Sequence, residues 1–346
     1  MTELVRRIRQ CWSNLANLPA VVSVPLSIGV TTVAIAGSLL VMRQAGWLQP
    51  LELMVFDQMV RSRPTQEPDP RLLIVSITEK DIQTQKRWPL SDQTIATLLQ
   101  KLQQHQPIAI GLDILRDFPQ EPGNAALKKQ FQAPNIIAIT GLQQADDYGT
   151  PPPPGMPEEQ VGFNDVLTDP DGVIRRSLLF ADADYPYSFA VRLAFAYLKA
   201  QGIEPKAGLK NPDNLRLGSV EFEPLESDAG GYQTIDSAGY QLLLNYRAPH
   251  NVARTVSVTQ VLNGQIDPAW VKGKVVLIGA TARSAKDDFL TPYSPAQQNR
   301  PKMPGVEIHA QIVSQLISAP LNGRLPFWFW SNSWEIAWIV GWVLAG

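Results

Sequence analysis

Cysteine is nearly missing from this chain. Of its 346 residues only Cys11 carries a thiol, so no intrachain disulfide and no thiolate metal site can form. Histidine is almost as scarce. His105, His250 and His309 lie far apart, without the close pairing that zinc ligands often show. No metal and no cofactor is therefore expected. Charge is thin as well: charged residues make up 18% of the chain and the formal net charge is −2. A nucleic-acid partner would need a concentrated basic face, and an acidic tail or basic arm would need a block of like charge. Neither is present. Gly273-Lys274 lacks the upstream glycine of a Walker loop, and there is no G-x-S-x-G elbow and no G-x-G-x-x-G fingerprint. No catalytic residue is expected.

What the chain does contain is a long uncharged run, AVVSVPLSIGVTTVAIAGSLLVM, from Ala20 to Met42. About 20 apolar residues suffice to cross a bilayer, whereas the apolar core of a signal peptide is only about 7–15 residues long and ends in a small-residue cleavage site. Residues 20–43 are therefore expected to form an uncleaved transmembrane helix. Arg6, Arg7 and Arg9 precede it, and Arg43 alone follows before Arg61. The positive-inside rule then puts residues 1–19 in the cytoplasm and the rest outside. Near the other end, PFWFWSNSWEIAWIVGWVLAG (Pro326–Gly346) places Trp334, Trp338 and Trp342 on one helical face, behind Trp328 and Trp330. Such aromatic clusters mark membrane interfaces. A helix from Ser333 onward would be only about 20 Å long, so residues 325–346 are expected to begin a second, truncated span of a longer protein.

Between the spans, residues 44–324 alternate strand-like and helix-like patterns. LLIVSIT (Leu72–Thr78), IAIGLDI (Ile108–Ile114), NIIAIT (Asn135–Thr140) and KVVLIGAT (Lys274–Thr281) are short β-rich apolar runs. Runs of that kind are strands buried on both faces, which implies a mainly parallel sheet covered by helices. Ser91 can cap a helix carrying Ile95, Leu98, Leu99 and Leu102, and Ser188 another that runs to Gly202. A third helix follows Pro304, with His309, Ile312, Val313 and Leu316 on one face and Glu307 and Gln311 on an opposite, polar face. The fold class expected is α/β, a mainly parallel sheet with an inserted β-hairpin, flanked by transmembrane helices.

The candidate site residues come from position. Asp113 ends a strand, and ligands collect beyond the carboxyl ends of parallel strands. Thr281 stands in a strand-to-helix turn where backbone N–H groups could hold an anion, although a plain turn explains it equally well. Asp287 and Asp288 could bind a cation or form a solvated turn, and His309 could be a hydrogen-bonded core residue. Asp169-Pro170-Asp171-Gly172 resembles the start of a calcium loop, but Leu167 and Leu178 would occupy ligand positions. What remains is a turn, with Gly172 taking positive φ. Arg175 and Arg176 are expected on opposite faces of the following strand, so that at most one looks into a buried site.

Seven stretches in this order resemble the second type of CHASE domain, the extracytoplasmic sensor of bacterial receptors. They are ELMVFDQMVRSRP (Glu52–Pro64), RWPLS (Arg87–Ser91), PIAIGLDI (Pro107–Ile114), VGFNDVLTDPDGVIRR (Val161–Arg176), LLNYRAP (Leu243–Pro249), VKGKVVLIGATARSAKDDFLTP (Val271–Pro292) and MPGVEIHAQIVSQLI (Met303–Ile317). LRDFPQEP (Leu115–Pro122), Ala248 and Leu90 depart from the family pattern. The resemblance implies a sensor passing a signal to a cytoplasmic kinase or nucleotide cyclase absent from this chain. It also implies a homodimer in the bacterial inner membrane, with the lipid bilayer and a small molecule or envelope protein as partners. Trp88, Asp113, Arg175, Thr281, Asp288 and His309 are the candidate ligand-binding residues. A membrane-anchored hydrolase and a non-signalling envelope scaffold are the alternatives.

Overall fold

All four apolar runs form strands. The computed structural model describes residues 6, 20–143, 148–294 and 301–345. Cys11 and the rest of the expected cytoplasmic tail, Arg6 apart, lie outside the described residues, as does part of the Pro-rich loop from Gln143 to Gln160. Helices α1 (Ala20–Gln44) and α2 (Gln49–Ser62) lead to strand β1 (Leu72–Ile77). Then come α3 (Glu79–Gln85), α4 (Asp92–Gln103), β2 (Ala109–Asp113), α5 (Asn124–Gln130), β3 (Ile136–Thr140) and β4 (Val161–Phe163). Next are β5 (Arg176–Phe180), α6 (Phe189–Ala200), β6 (Pro205–Ala207), β7 (Leu215–Leu217), β8 (Val220–Phe222) and β9 (Tyr240–Leu243). The chain continues through β10 (Arg254–Ser257), α7 (Val258–Leu262), β11 (Val275–Ala280), β12 (Asp288–Phe289), β13 (Met303–Pro304), α8 (Gly305–Asn322) and α9 (Asn332–Ala345).

The chain divides into two compact units. One comprises Phe56–Glu226 and Ser237–Phe327. It is built on a six-stranded sheet of order β10-β1-β11-β2-β3-β4, parallel throughout. Successive side chains of a strand point to opposite faces, and the core divides accordingly. Leu72, Ile74, Val275 and Leu277 pack with α6 and α8, whereas Leu73, Val75, Val276 and Ile278 pack with α4 and α7. Ser91 and Ser188 cap α4 and α6 by accepting from the amides of Thr94 and Val191. Two glycines let the helices sit close. A Cβ on Gly111 would lie 2.5 Å from the Phe189 ring, and one on Gly279 would lie 2.6 Å from Val306.

One expectation needs correction here. The turn at Asp169–Gly172 forms, with Gly172 at φ 79° and its amide 2.8 Å from the Asp169 carbonyl. The inserted β-hairpin around it does not. Strand β4 joins the parallel sheet beside β3, and β5 pairs antiparallel with β9 instead; a single bridge between Leu167 and Arg176 is left of the hairpin ladder. The polar face of α8 is largely buried. Gln311, Ser314 and Gln315 are buried, because the end of β9 and the irregular segment that follows it, up to Ala248, have backbone groups to satisfy. Gln311 accepts from the Arg247 amide at 2.7 Å and donates to the Ala248 carbonyl at 2.7 Å. Gln315 does the same for Asn245 and Leu243.

The other unit comprises Met1–Val55, Ser227–Asp236 and Trp328–Gly346. Within it Arg43, buried at the end of α1, donates to Asn332 at 2.9 Å and pairs with Glu335 of α9, while Glu52 of α2 stands 3.7 Å away. Trp338 stacks edge-on with Trp330 and Trp342. Among the described residues no single helix is long and apolar enough to cross a membrane. The bent pair Ile28–Gln44 and Gln49–Ser62, at 82°, meets that condition together.

Candidate functional site at the carboxyl edge of the sheet

The order of the parallel strands brings the ends of β1, β2, β3 and β11 to one edge. Asp113 is the last residue of β2 and is paired in register with Gly279 of β11. Because Gly279 has no side chain, α8 approaches β11 closely, and its second turn carries His309 to Asp113. His309 Nε2 lies 3.9 Å from Asp113 Oδ1, beyond hydrogen-bond reach. The imidazole sits edge-on against Phe189 with ring centroids 5.3 Å apart. Asp287 completes the group from beneath the start of α8. A Cβ on Gly305 would be 2.6 Å from either Asp287 carboxylate oxygen.

Asp113 and His309 are both buried, yet Asp113 Oδ2 and His309 Nδ1 have no hydrogen-bond partner. Burial pushes the Asp113 carboxyl up to about 7 against the opposing bond from Asn164. Asp287 is pushed up to about 6, first by burial and then by the charge of Asp113, with His309 opposing. Burial brings His309 down to about 4, although Asp287 and Asp165 favour its charged form. Burial therefore opposes charge on all three groups. Orphaned polar atoms of this kind cost free energy and are over-represented where a ligand or a proton is handled. Among the described residues no group of three or more His, Cys, Asp or Glu is placed to hold a metal ion.

A cavity of about 600 Å³ opens beyond the end of β3, walled by Thr140, Leu142, Tyr148, Thr150, Asp182 and Tyr185. Its volume is typical of a small-molecule site. Asn164 and Asp165 connect its wall to the buried group. The Asn164 amide donates to the Thr140 carbonyl at 3.1 Å and its side chain bonds Asp113. Asp165 accepts from the Leu142 amide at 2.8 Å and lies near enough to His309 to favour its protonation.

The comparison with known families fits this architecture. A family model described as CHASE2 domain matches residues 30–346. The chain belongs to the CHASE2 family. It is a family of extracytoplasmic sensory domains. No curated protein and no solved structure matches.

The other candidate residues fall in different places. In this CHASE2 chain Trp88 is partly exposed in the loop before α4, and Thr281 follows β11 with its amide bonded to the Ile77 carbonyl at 3.0 Å. Both are on the same edge of the sheet as Asp113 by topology. Asp288 faces outward and pairs with Lys302 at 3.2 Å, so of the two adjacent aspartates it is Asp287 that joins the buried group. Arg175 is elsewhere. It is 2% exposed, and all five of its N–H groups donate to carboxylates: two to Asp57, one to Asp169 and two to Asp171, at 2.7–3.0 Å. Burial alone would lower its pKa, but bonds with Asp57, Asp171 and Asp169 raise it well above the ordinary value.

Arg176 shows why alternation misleads here. Its Nε donates to Asp169 Oδ1 at 3.0 Å, so both arginines grip one carboxylate and both are buried. Arg175 precedes the first residue of β5, and strand alternation does not govern it. The remaining hubs, Asp57, Asp165 and Asp287, carry no spacing signal of their own. The family blocks that contain them, FDQ, FND and KDD, draw attention to them, and Asp287 is otherwise marked only as half of an acidic pair.

Proposed function

We propose that this CHASE2 chain is the sensor module of a bacterial transmembrane signalling receptor, with residues 44–324 outside the cytoplasm. In this reading α1 spans the inner membrane with the N-terminus inside. Residues 325–346 begin a second span, and a cytoplasmic kinase or cyclase lies further along the protein. Exposed apolar side chains support the two spans: Ile28, Val33 and Val41 on α1, and Trp334, Trp338 and Trp342 on α9. The ligand is a small molecule, or a contact from an envelope protein, received at the carboxyl edge by Asp113 and His309 with Trp88, Thr281 and Asp288 around them.

One observation carries the reading. The segment Val161–Arg176 serves two places. Asn164 and Asp165 belong to the carboxyl-edge group, whereas Asp169, Asp171 and Arg175 hold Asp57 of α2. Along the chain α2 continues from α1. A ligand that favours one position of Asn164 therefore biases the hold on α2, which is what coupling between two states requires. Arg175 acts in this scheme as a positioning residue. Signalling as a homodimer is the arrangement in which such a shift is read.

The test is a thermal-shift screen of the 346-residue chain in neutral detergent against small molecules. A binder raises the midpoint with ln(1 + [L]/Kd), and Asp113→Ala abolishes the shift. Orientation is read separately in intact spheroplasts. A cysteine at Tyr148, which is 95% exposed, should react with a membrane-impermeant maleimide, and Cys11 should react only after lysis. Reaction of Cys11 first would reverse the topology. A panel without any binder would leave protein contact as the input.

A further inference from the structure

Four arginines crowd the opposite, amino edge of the sheet. Arg71 immediately precedes β1, Arg247 lies in the segment before β10, Arg324 follows the end of α8, and Arg63 follows α2. Among the described residues Asp69 is the one carboxylate ion-paired with them, and it is fully engaged. Asp69 accepts from Arg71 Nε and from the second Arg71 nitrogen at 2.7 and 2.6 Å, and from the Ser314 hydroxyl at 2.7 Å. Arg324 has no carboxylate. One of its nitrogens donates to Asn245, while its Nε and other terminal nitrogen are buried with no partner. Arg63 likewise donates to Asn245 and leaves a terminal nitrogen unpartnered.

These groups surround space. A cavity of about 440 Å³ is lined by Gln66, Arg71, Arg247, Ser318, Asn322 and Arg324, together with Pro70. No carboxylate lines it. Guanidinium groups pack this closely only at a cost. Burial and the charges of Arg63 and Arg247 bring Arg324 down to about 10. An arginine fork matches the oxygens of phosphate or carboxylate with two parallel bonds, and three arginine side chains lining one cavity without a carboxylate form a positive field that such an anion would neutralise. Like charges held close together repel, and an anion placed among them removes part of that cost.

We infer that this arginine-lined cavity is a binding site for a phosphate-bearing anion, with Arg324 and Arg247 as its principal ligands and Arg71 and Ser318 completing the cradle. The cavity exceeds the size of a bare phosphate and leaves room for a substituent such as glycerol. Arg324 directly precedes the expected second span, so a bilayer phosphodiester is one source of the group and a dissolved phosphate ester is the other. The site lies at the edge away from Asp113 and does not depend on the sensor reading.

The experiment uses the whole chain in neutral detergent, titrated calorimetrically with inorganic phosphate and with glycerol 3-phosphate, and the chain in nanodiscs of phosphatidylcholine with or without phosphatidylglycerol. Saturable binding that weakens roughly thirtyfold or more in Arg324→Gln, falls with added salt and is unchanged in Lys129→Gln assigns the site to a dissolved anion. If the dissolved anions do not bind, a midpoint raised by phosphatidylglycerol and lost in Arg324→Gln assigns it to a lipid headgroup. Asn322→Asp guards against misfolding of the arginine variant. This exposed substitution sets a carboxylate on the rim beside Arg71 and should abolish binding with the midpoint retained. No response to either anion or to phosphatidylglycerol would overturn the proposal, and so would binding that survives both substitutions.

Discussion

Two clusters of charged residues share the segment Val161–Arg176 and differ in how completely they are satisfied. Around Arg175 every N–H meets a carboxylate oxygen, and Asp57, Asp169 and the half-exposed Asp171 are drawn from a helix and a turn into one knot around a buried guanidinium. Around Asp113 the reverse holds. Carboxylates gather with an imidazole that burial keeps neutral, and Asp113 Oδ2 and His309 Nδ1 go without partners. Placing an ion in the interior costs several kcal/mol unless hydrogen bonds repay it. Only the Arg175 cluster is built to repay that cost within the chain. The Asp113 cluster retains unmet bonding capacity, which is the property expected of a place where something else binds.

That contrast can be broken most severely at Arg175. Arg175→Ala strands three buried or half-buried carboxylates and should cost about 3–5 kcal/mol, read as a lowered urea midpoint. Arg175→Lys should recover only part of the loss, since an ammonium cannot fork to Asp57. If Asp113→Ala proved equally damaging, the two clusters would not differ in kind.

Next is Gly279→Ala. The added methyl meets Val306 at 2.6 Å, and overpacking of this kind costs about 1–3 kcal/mol while lifting α8 from the Asp113 edge. A Gly279→Ala variant as stable as the parent would show that α8 can shift freely.

The pH dependence sharpens the comparison further. Asp113 and Asp287 have pKa values of about 7 and about 6 in the folded chain against an ordinary 3.8. Their contribution to stability is therefore present below about pH 4 and lost as pH rises through 6 and 7. His309, at about 4 against 6.5, contributes above pH 6.5 and loses that contribution as pH falls toward 4. Asp113→Asn should thus raise the thermal midpoint relative to the parent near pH 8 and leave it unchanged near pH 4. An equal gain at both pH values would mean that Asp113 is not buried as an acid. The smallest effect belongs to Asp288→Asn. Its pair with Lys302 is solvent-exposed, and its loss should stay within about 0.5 kcal/mol in denaturant.

Much of this was legible in the residues. Asp113 could be placed at a strand end because IAIGLDI has one interpretation, and His309 could be put on an apolar stripe because helical spacing is regular. The edge strand β10 escaped notice, since RTVS is too polar to register as an apolar run, and β4 reads as part of a hairpin instead of the parallel sheet, since the turn at Gly172 lies close to it in sequence. Asp287 could not be told from Asp288, because one residue of register in the two-residue strand β12 decides which of them faces inward. The role of Gln311 was hidden for a related reason: periodicity identifies a polar stripe but does not reveal that an irregular segment needs that stripe to satisfy its backbone.

Local chemistry along the sequence determined the central strands, the capped helices, the turn at Gly172 and the membership in a sensor family, since each depends on neighbours within a few residues. The tertiary structure decided which charges meet. Asp57 and Arg175 are 118 residues apart, and Asp69 and Ser314 are 245 apart. Their pairing follows from strand order and helix placement, which no short window of sequence contains. The same long-range geometry satisfies Arg175 completely and leaves Asp113 and Arg324 with unpartnered atoms.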